Sequence, residues 1–228
     1  MALLQAILEI RRQDLKIMWF GQEREVPVPG ALALMSPWVD MTLSSESWTR
    51  NVEFDYLPAT AAQRLDNAPP CEAWPASPPR MSHYADDAFL DHPLVTVSLA
   101  ADWRGAPPVY ISAGWEVLAD EQRFMASRLH GSGVKVVFEE YEAMPHCFAM
   151  ILSQLPASRR CFDGWAGFIK SAAEDPASVV ARAVTVKAKT LAEVELDLGA
   201  LDVLTEEEVR EQVRAQISSH KALPSAKL

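Results

Sequence analysis

The stretch PPVYISAGWEVLADEQRFMASRLHGSGVKVVFEEYEAMPHCF, residues 107–148, decides the fold. Val109-Tyr110-Ile111-Ser112-Ala113 is a short apolar run bounded by Pro107-Pro108 and Gly114, and it reads as a buried strand. Residues 119 to 130 follow as a helix with Phe124, Met125 and Leu129 on one stripe, and Gly131-Ser132-Gly133 stops it. Val134 to Glu139 reads as the next strand. Strand, helix, strand in this order predicts a βαβ unit, with parallel pairing and a right-handed crossover.

Two chemistry-bearing residues fall at equivalent places in this unit. Glu116 comes just past the end of the first strand, and His146 just past the end of the second. That edge of an open α/β sheet collects loops and helix N-termini, and ligands bind there. A carboxylate able to accept the Nδ1–H of an imidazole fixes its tautomer and stabilises the imidazolium that forms when the ring takes a proton. Asp120 is a rival acid, but it sits one turn into the helix, where a carboxylate serves the N-terminal dipole. Cys147 beside His146 invites a Cys–His reading, although sequence neighbours commonly point apart. His83, His92, His130 and His220 read as structural or solvated.

Outward from this unit, Leu3, Leu4, Ile7, Leu8 and Ile10 predict a helix that starts at Met1 with no capping residue before it. Ala31-Leu32-Ala33-Leu34-Met35 predicts a strand buried on both faces, ended by Ser36-Pro37. Residues 44–107, rich in Pro, Ser, Asp and Trp, read as irregular structure of the kind that covers a pocket or forms a surface insertion. Trp38, Trp48, Trp74, Trp103 and Trp115 are candidates for an apolar pocket or for the core. Two helical stretches follow His146, at roughly 147–155 and 158–173, with Trp165, Phe168 and Ile169 toward the core. Residues 184–198 read as extended. Thr205 and Glu208 form a capping box that opens a helix to about Ser219, with Val209, Val213 and Ile217 on one side. The expected organisation is a domain over 1–174 and a C-terminal extension over 175–228.

The 228 residues carry a net charge of −10, which argues against nucleic acid or an anionic membrane as a main partner. Three cysteines without CxxC spacing fit a reduced, cytoplasmic protein and give no metal site. No apolar run approaches the roughly 18 residues that span a bilayer, and the N-terminus lacks a signal-peptide pattern.

HPLVTVSLAADWRGAPPVYISAGWEVLADE (92–121), followed by GSGVKVVFEEYEAMPHCF (131–148), resembles the C-terminal half of hormone-sensitive-lipase-like carboxylesterases, particularly fungal members. ALALMSPWVDMT (31–42) resembles the family's strand after the nucleophile helix, and the C-terminal tail resembles extensions of fungal relatives. The resemblance implies the C-terminal part of an α/β-hydrolase, with Glu116 as triad acid and His146 as base. It also implies small or medium acyl esters as substrates, with no metal and no cofactor. The family's nucleophile sits in G-x-S-x-G. No two glycines here are four residues apart, so that motif is absent from these 228 residues. The N-terminal strands, the elbow and the HGGG-type oxyanion loop are therefore expected to be missing. The chain alone is expected to be inactive, and its exposed sheet edge is a place for self-association. The alternative is a non-catalytic binding or interaction module.

Overall fold

In a computed structural model, residues 1–57, 71–72, 80, 82–201 and 204–221 are described. Trp74 and most of the Pro-rich stretch lie outside them, as does the side chain of His220.

Seven strands are present among these residues: β1 (Ile17–Trp19), β2 (Gln22–Arg24), β3 (Leu32–Met35), β4 (Val109–Gly114), β5 (Val136–Tyr141), β6 (Arg182–Val186) and β7 (Glu193–Leu196). The first two form a small antiparallel hairpin. The other five form one sheet in the order β3-β4-β5-β6-β7. Pairing is parallel from β3 to β6, and only β7 runs antiparallel. The helices are α1 (Ala2–Arg12), α2 (Ser47–Arg50), α3 (Ala119–Gly131), α4 (Phe148–Ile151), α5 (Pro156–Glu174) and α6 (Glu206–Lys221).

The βαβ unit at β4-α3-β5 stands as expected, with β5 placed two residues later than its apolar run suggested. Every residue of β4 and β5 is buried, because each strand has a neighbour on both sides and helices over the faces. Their core is built from Val109, Ile111, Val136 and Phe138 with Met125 and Leu129 of α3, Trp103 beside them, and Leu4 and Leu8 of α1.

Several expectations are corrected. β3 was expected to be buried on both faces, but all four of its residues are only half-buried, since it is the edge strand. Ile169 is exposed and Trp165 half-buried, and only Phe168 of that trio is fully in the core. The helix expected over 147–155 is a single turn at Phe148–Ile151.

Residues beyond 175 continue the same sheet. β6 pairs with β5, and α6 packs Val209 and Val213 against Leu99 and Phe124. The capping box is formed: the Thr205 backbone N–H donates to Glu208 Oε2 at 2.7 Å, and the Glu208 N–H donates back to Thr205 Oγ1 at 3.3 Å. It satisfies donors at the start of α6 that no helical carbonyl can reach.

Candidate active site

β4 and β5 run in register, so their C-terminal ends lie side by side: Gly114 pairs with Tyr141. The chain leaves each strand into a turn, and the two turns touch. A Cβ on Gly114 would lie 2.1 Å from the carbonyl oxygen of Met144, so only glycine allows the acid turn and the histidine turn to approach this closely. The histidine turn holds Ala143 at φ 58° and Cys147 at φ 51°, and Ser36 at the end of β3 has φ 46°. Three non-glycine residues in the left-handed region thus flank one spot, the kind of stored backbone strain that gathers at functional sites.

At that spot, Glu116 and His146 meet. Glu116 Oε2 lies 2.6 Å from His146 Nδ1. Glu116 is fully buried, whereas the His146 side chain keeps 16% of its surface exposed. The other carboxylate oxygen, Oε1, accepts the Ser36 hydroxyl at 2.7 Å and the Gly114 N–H at 3.0 Å. A buried carboxylate with three donors is held in one rotamer.

The segment 47–57 clamps these turns from outside. Ser47 Oγ donates to the Val117 carbonyl at 2.6 Å, and Asn51 Nδ2 donates to the Glu116 carbonyl at 2.9 Å. Asp55 accepts the Val117 N–H on Oδ2 at 2.9 Å and the His146 N–H on Oδ1 at 3.4 Å. The Tyr56 ring stands edge-on to the imidazole, with centroids 6.4 Å apart. None of these residues was singled out from sequence. Their partners lie 62 to 91 residues away, and no local pattern marks such a contact.

The remaining candidates are placed elsewhere. Asp120 accepts the Ser47 N–H at 2.9 Å and pairs with Arg50, away from the imidazole. His92 accepts the Leu94 N–H, while His83 and His130 are exposed. Trp103 and Trp48 are core residues. Trp115 is half-buried beside Phe54, at the mouth of the acid turn.

Burial lowers the basicity of His146, but hydrogen bonding by the Cys147 side chain and by Glu116, together with their charges, outweighs it and raises the imidazole to about 10. The contact with Glu116 thus favours the protonated form of the ring. The folded value lies above the roughly 6.5 of an unfolded histidine. The stabilisation it gives is therefore complete below about pH 6.5 and is lost as pH rises toward 10. In urea titrations, the stability gap between this chain and His146→Gln should shrink steadily from pH 6 to pH 10. A gap that is flat across that window would contradict the assignment.

A mostly parallel sheet with Glu116 against His146 at its C-terminal edge is an arrangement compatible with the α/β-hydrolase fold. The family described as alpha/beta hydrolase fold matches residues 14–150, more than half of the chain, and the chain belongs to it. An esterase of Acinetobacter venetianus is 30% identical over 146 residues, covering 63% of this chain and 43% of the esterase. An acetyl-hydrolase of Streptomyces hygroscopicus is 29% identical over 148 residues, covering 64% of this chain and 44% of its own length. The chain thus spans less than half the length of the curated relatives it matches. Among solved structures, the HSL-homolog EstE7 from a metagenome library superposes with a TM-score of 0.54 at 23% identity. That likeness covers 74% of this chain and 50% of EstE7, and it concerns the fold alone.

Proposed function

We propose that this chain supplies the acid and the base of a Ser-His-Glu carboxylic-ester hydrolase. The observation that carries the reading is the 2.6 Å contact between Glu116 Oε2 and His146 Nδ1 at the C-terminal edge of β4 and β5. In this role Glu116 holds the imidazole by Nδ1, leaving Nε2 to take the proton of an attacking serine and return it to the leaving alcohol. The family membership and the esterase and acetyl-hydrolase relatives support an ester of a small or medium acid as substrate. The residues assigned here act by proton transfer alone and call on no metal or cofactor.

The serine and its oxyanion donors come, in this reading, from a G-x-S-x-G-bearing segment that these 228 residues do not contain. By itself the chain has a base with nothing to activate, and it is inactive. The test is to join such a segment, taken from an esterase of the family, ahead of Met1 and to assay hydrolysis of a short acyl ester. The fused protein should turn over while the chain alone does not. A folded fusion without activity overturns the reading. We further read the protein as cytoplasmic. Its three cysteines are free thiols, which fits a reducing compartment, and no described helix is long and apolar enough to cross a membrane.

A second reading, a non-catalytic interaction module, is favoured by the edge of β3, which has no strand partner on its outer side among the described residues. Its partner would be a second copy of this chain, paired edge to edge about a two-fold axis. A chain that sediments as a monomer at all concentrations rules this reading out.

A further inference from the structure

Buried serines usually satisfy their hydroxyl on a nearby backbone carbonyl. Ser158 is an example here: it is fully buried, and its hydroxyl donates to Leu152 O at 2.7 Å. Ser36 does something else. It is 4% exposed and sits at the end of β3, where its N–H still bonds the Ser112 carbonyl of β4 at 2.8 Å. Its hydroxyl donates to Glu116 Oε1 at 2.7 Å and at the same time accepts the Cys147 N–H at 2.9 Å. These partners are 80 and 111 residues away in sequence, one in the acid turn and one directly after the base.

We infer that Ser36 is a positioning residue: its hydroxyl pins the acid turn to the histidine turn and holds Glu116 on the imidazole. The inference rests on the assignment of Glu116 and His146 as acid and base.

The accounting of lone pairs supports it. Glu116 is fully buried and has three donors. His146 is the group to be oriented. Gly114 lies two residues before Glu116, in the same turn, so its N–H fixes the carboxylate only relative to its own loop. Ser36 is the donor that brings in a third element. Cys147 needs the contact as well. Its left-handed φ of 51° turns the chain sharply right after His146, and its amide ends on Ser36 Oγ. Losing the hydroxyl therefore removes one tether from the acid and one from the base together. A buried carboxylate stripped of a donor is also costly in itself.

The positive φ of Ser36 fits the same picture. At 46° a serine is strained, and in this conformation its hydroxyl holds two partners at once.

The test uses the chain as it stands and needs no ester. Histidine labelled with 13C and 15N is followed by NMR across pH, with His146 assigned by its loss in His146→Gln. In Ser36→Ala the His146 protonation constant should fall by about tenfold or more, because the carboxylate is freed to rotate off Nδ1. Exchange of the Cys147 amide with solvent should accelerate by a similar factor. Ser158→Ala, which removes another buried hydroxyl, should lower thermal stability yet leave the His146 titration in place. Ser36→Cys keeps a weaker donor of similar size, covers the case where the alanine variant does not fold, and should give an intermediate shift. An unchanged or higher His146 protonation constant in a folded Ser36 variant overturns the inference. A fused protein that lacks esterase activity while these shifts occur would instead refute the hydrolase reading and leave the Ser36 clamp standing.

Discussion

In a protein completed with a nucleophile segment, His146→Ala is expected to lower kcat for a short acyl ester by about 10⁴ to 10⁶, and Glu116→Gln by about 10⁴. The two numbers differ for a reason visible in the geometry. Without the imidazole the serine has no proton acceptor at all. Without the Glu116 charge the ring remains, but an amide at 2.6 Å from Nδ1 presents a donor or a neutral acceptor where an anion had fixed the tautomer. Asp120→Asn serves as the contrast. Asp120 is committed to Ser47 and Arg50, so its loss should leave kcat within a few-fold. A tenfold or greater loss in Asp120→Asn, with Glu116→Gln near wild type, would reverse the assignment. The pH profile carries a sign as well. A base works only when neutral, and His146 is held protonated well above the ordinary histidine range. The acid limb of kcat/KM should therefore lie on the alkaline side of where an unperturbed histidine would put it.

How far sequence could reach this site follows from particular residues. The placing of Glu116 and His146 on one edge was legible because each follows an apolar strand, and the order of the two strands put them side by side, while their roles rest on the family resemblance. Asp120 could be set aside by the same logic, since it lies inside the helical pattern. The capping box at Thr205 and Glu208 is local chemistry over four residues and is formed as expected.

Ser36, Asn51 and Asp55 were not legible, because what makes them matter is contact across 62 or more residues. The half-burial of β3 was missed for a related reason. An apolar run reports that a strand wants neighbours, and it does not report whether a strand lies on its far side. The β1–β2 hairpin escaped because its strands are three residues long and mostly exposed, which is too short for any period to register. Its turn, Phe20-Gly21, takes positive φ at both residues, and that was the one available signal.

The largest stability effect is expected away from the site, at Glu139 in the middle of β5. This carboxylate is fully buried and is shared by four side chains, one on its own strand and three on other elements. Tyr110 of β4 and Tyr141 of β5 each donate to Oε2 at 2.8 Å. Arg160 of α5 reaches both oxygens, at 3.3 and 3.1 Å, and Arg182 of β6 donates to Oε1 at 2.6 Å. Burial, followed by the charge of Glu139, pushes both tyrosine hydroxyls far above the ordinary phenol range, so both stay protonated and can donate to it. Helix α5 comes close enough to join because Gly164 faces the cluster: a Cβ there would lie 2.8 Å from Glu139 Oε2 and 2.7 Å from Arg160 Nη1. Glu139→Ala leaves two buried hydroxyls without an acceptor and two guanidiniums with only Glu193 to share. Breaking a buried ion pair from one side costs about 3–5 kcal/mol. The variant should show its urea midpoint falling by the matching amount at unchanged slope. Glu139→Gln retains the volume and one acceptor oxygen but turns an amide donor toward groups that are themselves donors, so it should recover only part of the loss. If Glu139→Ala costs less than about 1 kcal/mol, the network is a solvated cluster and not a joint of the sheet.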